Sequence, residues 1–310
     1  ALLDDKRFAE LHVDRHGERS LVGNIYKGRV DSIVPGIQAA FVDIGQEKNG
    51  FLYVADIADQ ESGDIDLDDI EGGRRRRPRR VGIEKMLKRG QSIMVQVQKD
   101  TLGTKGVRLT NYATLPGRYV VLMPTVSQIG VSRRIEDQKE RDRLKKILRN
   151  FRKDRPYGLI LRTAGEGKSE TELLADLKYL NKQWDQIKTG MDDKKSKGAV
   201  LLHEDLDSVL RTVRDTFTED ISRLTIDSQA VQDEIIEFLD VYAPNLKKRC
   251  RVYTGRRPIF DRMGVEEQIE KALERRVELK SGGSIVIDHT EALTAIDVNT
   301  GRFTGKKQLE

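Results

Sequence analysis

Between Asn24 and Asn111 five short runs rich in β-branched and aromatic residues follow one another, each closed by glycine or a polar turn. They are residues 25–30 (Ile-Tyr-Lys-Gly-Arg-Val), 39–45 (Ala-Ala-Phe-Val-Asp-Ile-Gly), 50–54 (Gly-Phe-Leu-Tyr-Val), 93–97 (Ile-Met-Val-Gln-Val) and 107–110 (Val-Arg-Leu-Thr). Strands this short and this close together predict a small closed barrel of the OB type, since closure is how so few strands bury one face and lose their open edges. An acidic run (Asp64, Asp66, Asp68, Asp69, Glu71) and an arginine block (Arg74–Arg77, Arg79, Arg80) interrupt it. Blocks of opposite charge predict an exposed, partly disordered loop there. The arginines suit either RNA phosphates, with strong salt dependence, or a plain solvated linker.

The rest of the chain changes period. Residues 1–20 predict a hairpin with Asp4-Asp5-Lys6 at its tip. Residues 117–202 predict a compact α/β module: a strand at 118–123, a charged helix at 137–151, a strand at 158–162, a longer helix at 169–188 and a strand at 199–202. Helical spacing returns at 205–220 and 228–242 around a strand at 223–227, and a helix at 265–276 precedes the Gly282-Gly283 turn. Two strands, 284–288 and 293–299, then carry carboxylates near their ends. At 310 residues the chain is expected to hold two or three domains.

Several function classes lose support early. No run of about 18 apolar residues and no signal-peptide order is present, so membrane insertion and secretion are not expected. Apolar residues make up 37% and charged residues 35%, which predicts a soluble protein with a highly charged surface. Lys plus Arg number 56 against 51 Asp plus Glu, so where the basic residues sit matters more than their total. Cys250 alone can form neither an internal disulfide nor a zinc site, which fits a reducing, cytoplasmic setting. His12, His16, His203 and His289 show no metal-ligand spacing, and no Gly-x-Ser-x-Gly elbow exists.

Three constellations carry candidate chemistry. In residues 294–301 (Thr-Ala-Ile-Asp-Val-Asn-Thr-Gly) an apolar run predicts a buried strand, and Asp297 and Asn299, two residues apart, share a face. A carboxylate and an amide oxygen so placed suit magnesium or its waters, and magnesium suits phosphodiester hydrolysis. From spacing alone the pair is more simply the end of a strand and the start of a turn. Residues 162–169 (Arg-Thr-Ala-Gly-Glu-Gly-Lys-Ser) fall short of a Walker phosphate loop, which requires glycine where Arg162 stands. What they offer is either an arginine, a hydroxyl and a glycine turn for a terminal phosphate, or a helix cap with Ser169 at the cap and Glu172 three residues on. In the barrel Tyr26, Phe41, Phe51 and Lys105 are candidates for RNA contact, or, for the aromatics, ordinary core.

Four segments together resemble the RNase E/G family of endoribonucleases: 23–30 (Gly-Asn-Ile-Tyr-Lys-Gly-Arg-Val), 35–45 (Pro-Gly-Ile-Gln-Ala-Ala-Phe-Val-Asp-Ile-Gly), 158–165 (Gly-Leu-Ile-Leu-Arg-Thr-Ala-Gly) and 285–299. The resemblance implies a multidomain α/β and β architecture. An RNase H-like structural domain (1–20 and 206–272) is interrupted by an OB-type barrel (21–111, with the charged insertion at 59–80) and a 5′-sensor module (112–205). A DNase-I-like catalytic domain starts at 273.

It also implies a magnesium-dependent endoribonuclease acting on single-stranded RNA with a preference for 5′-monophosphorylated ends, in RNA processing and decay. Asp297 matches a magnesium-binding catalytic aspartate and Asn299 the asparagine beside it. Arg162 and Thr163 match the pair that grips the 5′-monophosphate, with Gly117 and Val121 completing the pocket, and Phe41, Phe51 and Lys105 match RNA-holding barrel positions. The second magnesium aspartate, and the cysteines that share Zn2+ between subunits of a homo-oligomer, are expected beyond Glu310, so these residues by themselves are expected to hold an incomplete metal site. A non-catalytic RNA-binding protein that keeps barrel and sensor is the alternative, and the charged insertion has no counterpart in the family core.

Overall fold

The computed structural model describes residues 1–14, 20–57, 82–100, 106–152, 155, 157–193, 198–279 and 282–301. The charged insertion and Lys105 lie outside them. The chain divides into two compact units, one of Ala1–Arg15, Arg223–Asp233 and Cys250–Glu310, the other of His16–Ser222 and Glu234–Arg249.

In the larger unit the predicted barrel is present as a closed five-stranded sheet. Its strands are β3 (Ile25–Val34), β4 (Ala39–Asp43), β5 (Gly50–Tyr53), β6 (Ser92–Lys99) and β7 (Arg108–Thr110), in the order β3-β4-β5-β7-β6, with β6 pairing back onto β3. Closure depends on β3, whose first half (Ile25–Arg29) pairs with β6 and whose second half (Arg29–Val34) pairs with β4 across a register shift at Val30/Ser32. Such an irregularity bends a strand and lets a small sheet close on itself. Gly28 sits at the bend because a Cβ there would lie 2.6 Å from Val42 Cγ1 and 3.0 Å from the Asp43 carbonyl oxygen. Strand alternation fills the interior with Val30, Val42, Leu52, Val95, Val97 and Leu109, and helix α1 (Ile83–Met86) adds buried Ile83 to the same core.

Next comes a four-stranded sheet of β8 (Leu115–Pro116), β9 (Val120–Met123), β10 (Ile129–Val131) and β11 (Gly158–Leu161), in the order β10-β11-β9-β8. Helices α2 (Gln138–Phe151) and α3 (Glu170–Asp192) cover it, packing Leu144, Leu148, Leu173, Leu177 and Leu180 against Val120, Leu122, Leu159 and Leu161. Asp137 caps α2 by accepting from the Lys139 amide at 2.9 Å. Ser169 and Glu172 form a reciprocal capping box at the start of α3, so the Gly-rich turn before that helix does have the cap geometry.

Strand β12 (Val200–His203) departs from the expected α/β module: it pairs with Ile25–Lys27 of β3 and so extends the barrel sheet. The physical reason is that β4 covers only the later half of that edge of β3, and the bare backbone of the earlier half needs a partner. Helix α4 (Ser208–Thr216) follows.

The smaller unit begins with the hairpin β1 (Leu2–Asp4) and β2 (Arg7–Glu10), turned at Asp5 and Lys6, which both have positive φ (44° and 66°). That is the twist a two-residue hairpin loop requires. The Phe8 amide donates to Gln268 Oε1 of helix α7 (Val265–Ala272) at 2.8 Å. Strands β13 (Leu224–Ile226) and β14 (Cys250–Val252) pair in parallel. Helix α5 (Gln229–Tyr242) lies between β13 and β14 in the chain, and the short helix α6 (Ile259–Met263) precedes α7.

Strands β15 (Arg276–Glu278), β16 (Ser284–His289) and β17 (Thr294–Asn299) form an antiparallel meander. Two expectations are corrected here. The helix expected to reach residue 276 stops at Ala272, because alternating Arg276, Val277 and Glu278 pair with β16 as a strand. The strand expected to be buried, β17, is exposed along its whole length, with Ile296 at 62% and Val298 at 56%. It is the edge of its three-stranded sheet, paired with β16 along one side. No helix of the described residues is long and apolar enough to cross a membrane.

Candidate functional site

Strand β11 delivers Arg162 to its end, where the chain turns through Thr163–Gly165. The Arg162 amide donates to the Tyr119 carbonyl at 2.8 Å, which ties this turn to the loop before β9. Its guanidinium is half-buried, and Nη1 donates to the Gly117 carbonyl at 3.0 Å and to Asp215 Oδ1 of α4 at 2.5 Å. The structure therefore brings Arg162 and Gly117, which the family resemblance places in one pocket, within hydrogen-bond distance. Thr163 is exposed, its hydroxyl 3.1 Å from that of Ser132. Val121 is 2% exposed, with its side chain packed among Tyr112, Met123, Val126 and Ile160 and its backbone in register with Ile160 on one side and Pro116 on the other, so it presents no side chain to a ligand.

Two carboxylates that sequence reading did not single out organise this region. Asp176 of α3, 6% exposed, accepts from three consecutive amides, those of Arg118 (3.1 Å), Tyr119 (2.8 Å) and Val120 (2.9 Å). Burial pushes its carboxyl above the usual range, against the pull of those three amides. A signal was available: Asp176 falls on the apolar stripe of Leu173, Leu177 and Leu180, where an unpaired carboxylate is costly. Asp215 is the second. It takes Arg214 Nε at 2.9 Å on Oδ1 and Arg214 Nη2 at 3.0 Å on Oδ2, while Arg214, itself buried, also donates to the Pro116 carbonyl at 3.1 Å. Burial alone favours the neutral Asp215 acid, but Arg214 and Arg162 outweigh it and hold the carboxyl below the usual range.

On the barrel, Phe41 and Phe51 are directly opposed across β4 and β5, edge to face with centroids 5.8 Å apart. Both are half-buried on the face opposite the core residues Ala40, Val42 and Leu52. Arg108 is their basic neighbour, paired with Phe51 across β7 and held by Asp56 at 2.8 Å. Tyr26 is corrected: at 3% exposure it belongs to the barrel core and offers no surface to RNA.

In the smaller unit Asp297 and Asn299 share one face of β17, and Asn299 Nδ2 donates to Asp297 Oδ2 at 2.7 Å. Both are exposed. Asp288 of β16 lies on that face two positions along the register but is engaged by Arg275 at 2.5 and 2.8 Å, which holds its carboxyl below the usual range. Among the described residues no three His, Cys, Asp or Glu side chains converge as a metal centre. The donors that Asp297 and Asn299 offer are oxygens, the kind that magnesium selects, and magnesium can be held through one or two carboxylates with water and phosphate filling the remaining positions.

Comparison with known proteins agrees with the family resemblance. The Ribonuclease E/G family model matches residues 114–310. Ribonuclease G of Escherichia coli (strain K12) is 43% identical over 311 aligned residues, which cover 100% of this chain and 62% of that protein. Ribonuclease G of Haemophilus influenzae is 42% identical, covering 100% of this chain and 61% of its own length. Ribonuclease E of the same organism is 40% identical, with 32% of its length covered. The chain thus spans less than two thirds of the curated ribonuclease G relatives it matches, and over that span it belongs to the ribonuclease E/G family.

Proposed function

We propose that the protein carrying this chain is an endoribonuclease that cleaves single-stranded RNA with magnesium and prefers 5′-monophosphorylated ends. The observation that carries the reading is the identity to ribonuclease G across the whole chain. In this reading residues 112–205 form the 5′-sensor module, residues 1–20 and 206–272 an RNase H-like structural domain, and residues from 273 the start of a DNase-I-like catalytic domain. The setting is cytoplasmic, and the working form is a homo-oligomer whose zinc-sharing cysteines lie outside these residues.

Each group of residues has one task. Phe41 and Phe51 stack bases of an extended strand, which every base accepts because every base has a π-face. Arg162 forks onto the terminal phosphate while Thr163 offers its hydroxyl, a charge-assisted contact that a 5′-hydroxyl end cannot match. Asp297, oriented by the hydrogen bond from Asn299, would hold magnesium. When bound, the metal supplies positive charge at the phosphate and lowers the pKa of a coordinated water.

The test is RNA cleavage by the full-length protein with Asp297→Asn. The reading expects the magnesium-dependent rate to collapse while single-stranded RNA still binds. Cleavage at the parent rate would remove Asp297 from the metal site.

A further inference from the structure

We infer that Asp215 is a positioning residue for the 5′-phosphate pocket: by bridging buried Arg214 and Arg162, it fixes the Arg162 guanidinium with one bidentate edge turned to the ligand. The inference rests on the reading that Arg162 receives the phosphate.

Arg162 spends only Nη1 on the protein, donating to Asp215 Oδ1 at 2.5 Å and to the Gly117 carbonyl at 3.0 Å. Among the described residues nothing else accepts from it, so Nε and Nη2 form a free edge of the kind that matches two oxygens of a phosphate. Two acceptors on one nitrogen, one from α4 and one from the loop before β9, set the plane of the group. A long side chain with many rotamers is thereby ordered before its ligand arrives, which spares binding the entropy of ordering it later.

Asp215 can serve this way because it is itself fixed. Arg214 grips both of its oxygens at 2.9 and 3.0 Å and is anchored in turn on the Pro116 carbonyl, one residue before Gly117. The two arginines thus reach adjacent carbonyls at the end of β8, with a single carboxylate between them. The carboxylate bridges and does not compete with the phosphate, since Nη1 and the free edge are different parts of the same guanidinium.

The test measures affinity for one short single-stranded RNA, prepared with a 5′-monophosphate or a 5′-hydroxyl, by fluorescence anisotropy. Parent chain, Asp215→Asn and Arg162→Ala are compared, with thermal unfolding alongside. The expected result is that Asp215→Asn lowers the monophosphate preference about tenfold, the scale of one charge-assisted hydrogen bond, while affinity for the 5′-hydroxyl RNA stays at the parent value. If Arg162→Ala loses the preference and folded Asp215→Asn retains it in full, the positioning role is wrong and the pocket stands. If Arg162→Ala also retains it, the pocket reading itself fails and this inference with it. Should Asp215→Asn unfold, Asp215→Glu decides, because it keeps the charge and displaces it by one methylene: a preserved preference there overturns the inference and a lowered one supports it.

Discussion

Gly117 and Asp176 occupy the same small space: a Cβ built on Gly117 would stand 2.5 Å from a carboxylate oxygen of Asp176. The glycine is therefore required by the buried carboxylate that gathers the Arg118, Tyr119 and Val120 amides, whatever it contributes to a phosphate.

Gly117→Ala should destabilise the larger unit by about 1–3 kcal/mol, the usual cost of forcing atoms into a packed interior. Asp176→Ala should cost about 3 kcal/mol, since buried amides left without an acceptor each lose their desolvation without return. Urea unfolding of the two variants checks both. An Asp176→Ala chain as stable as the parent would show that those amides do not depend on the carboxylate.

Asp215 links stability to pH. Its folded-state carboxyl lies below the ordinary Asp value of about 3.9, so its contribution is fully present above that value and is lost as pH falls through the lower, folded value. Asp215→Asn should flatten this acid limb of the unfolding free energy. Superimposable acid limbs for parent and variant would contradict the assignment.

Phe41 and Phe51 should separate binding from folding. Either replaced by Ala should weaken single-stranded RNA by about 1–3 kcal/mol, the scale of stacking one base, with a smaller loss of stability because both rings are only half-buried. Leu52→Ala, from the core side of β5, should do the reverse and cost about 2–5 kcal/mol of stability. Equal RNA affinity for Phe41→Ala and the parent would make the pair a structural patch.

Asp297 is exposed, so Asp297→Asn should change unfolding free energy by less than about 0.5 kcal/mol even where cleavage is lost. A large drop in stability would mean the residue holds the β-meander together.

The barrel was legible in the sequence because its signal is local: period-two runs, turn glycines and short spacing recur strand by strand, and they mark β3 to β7 to within a few residues. The capping box at Ser169 and Glu172 was legible for the same reason. What pattern did not reveal depends on partners distant along the chain. Strand β12 looked like part of its own module but pairs with β3, far back in the sequence. Tyr26 reads as an aromatic on a basic strand, and only the closed sheet shows it turned inward. Arg162 was visible as a motif, whereas Asp176 and Asp215, which organise its surroundings, lie on helices elsewhere in the chain.

In the proposed function Arg162 reads the 5′ end of an RNA that the protein cuts. The most direct test is the ratio of initial cleavage rates on one RNA bearing a 5′-monophosphate or a 5′-hydroxyl, measured with magnesium for the full-length protein and its Arg162→Ala variant. The expected result is a clear monophosphate preference that falls by roughly tenfold to a hundredfold in the variant, the value of a charge-assisted arginine fork. Equal discrimination by parent and variant would contradict it.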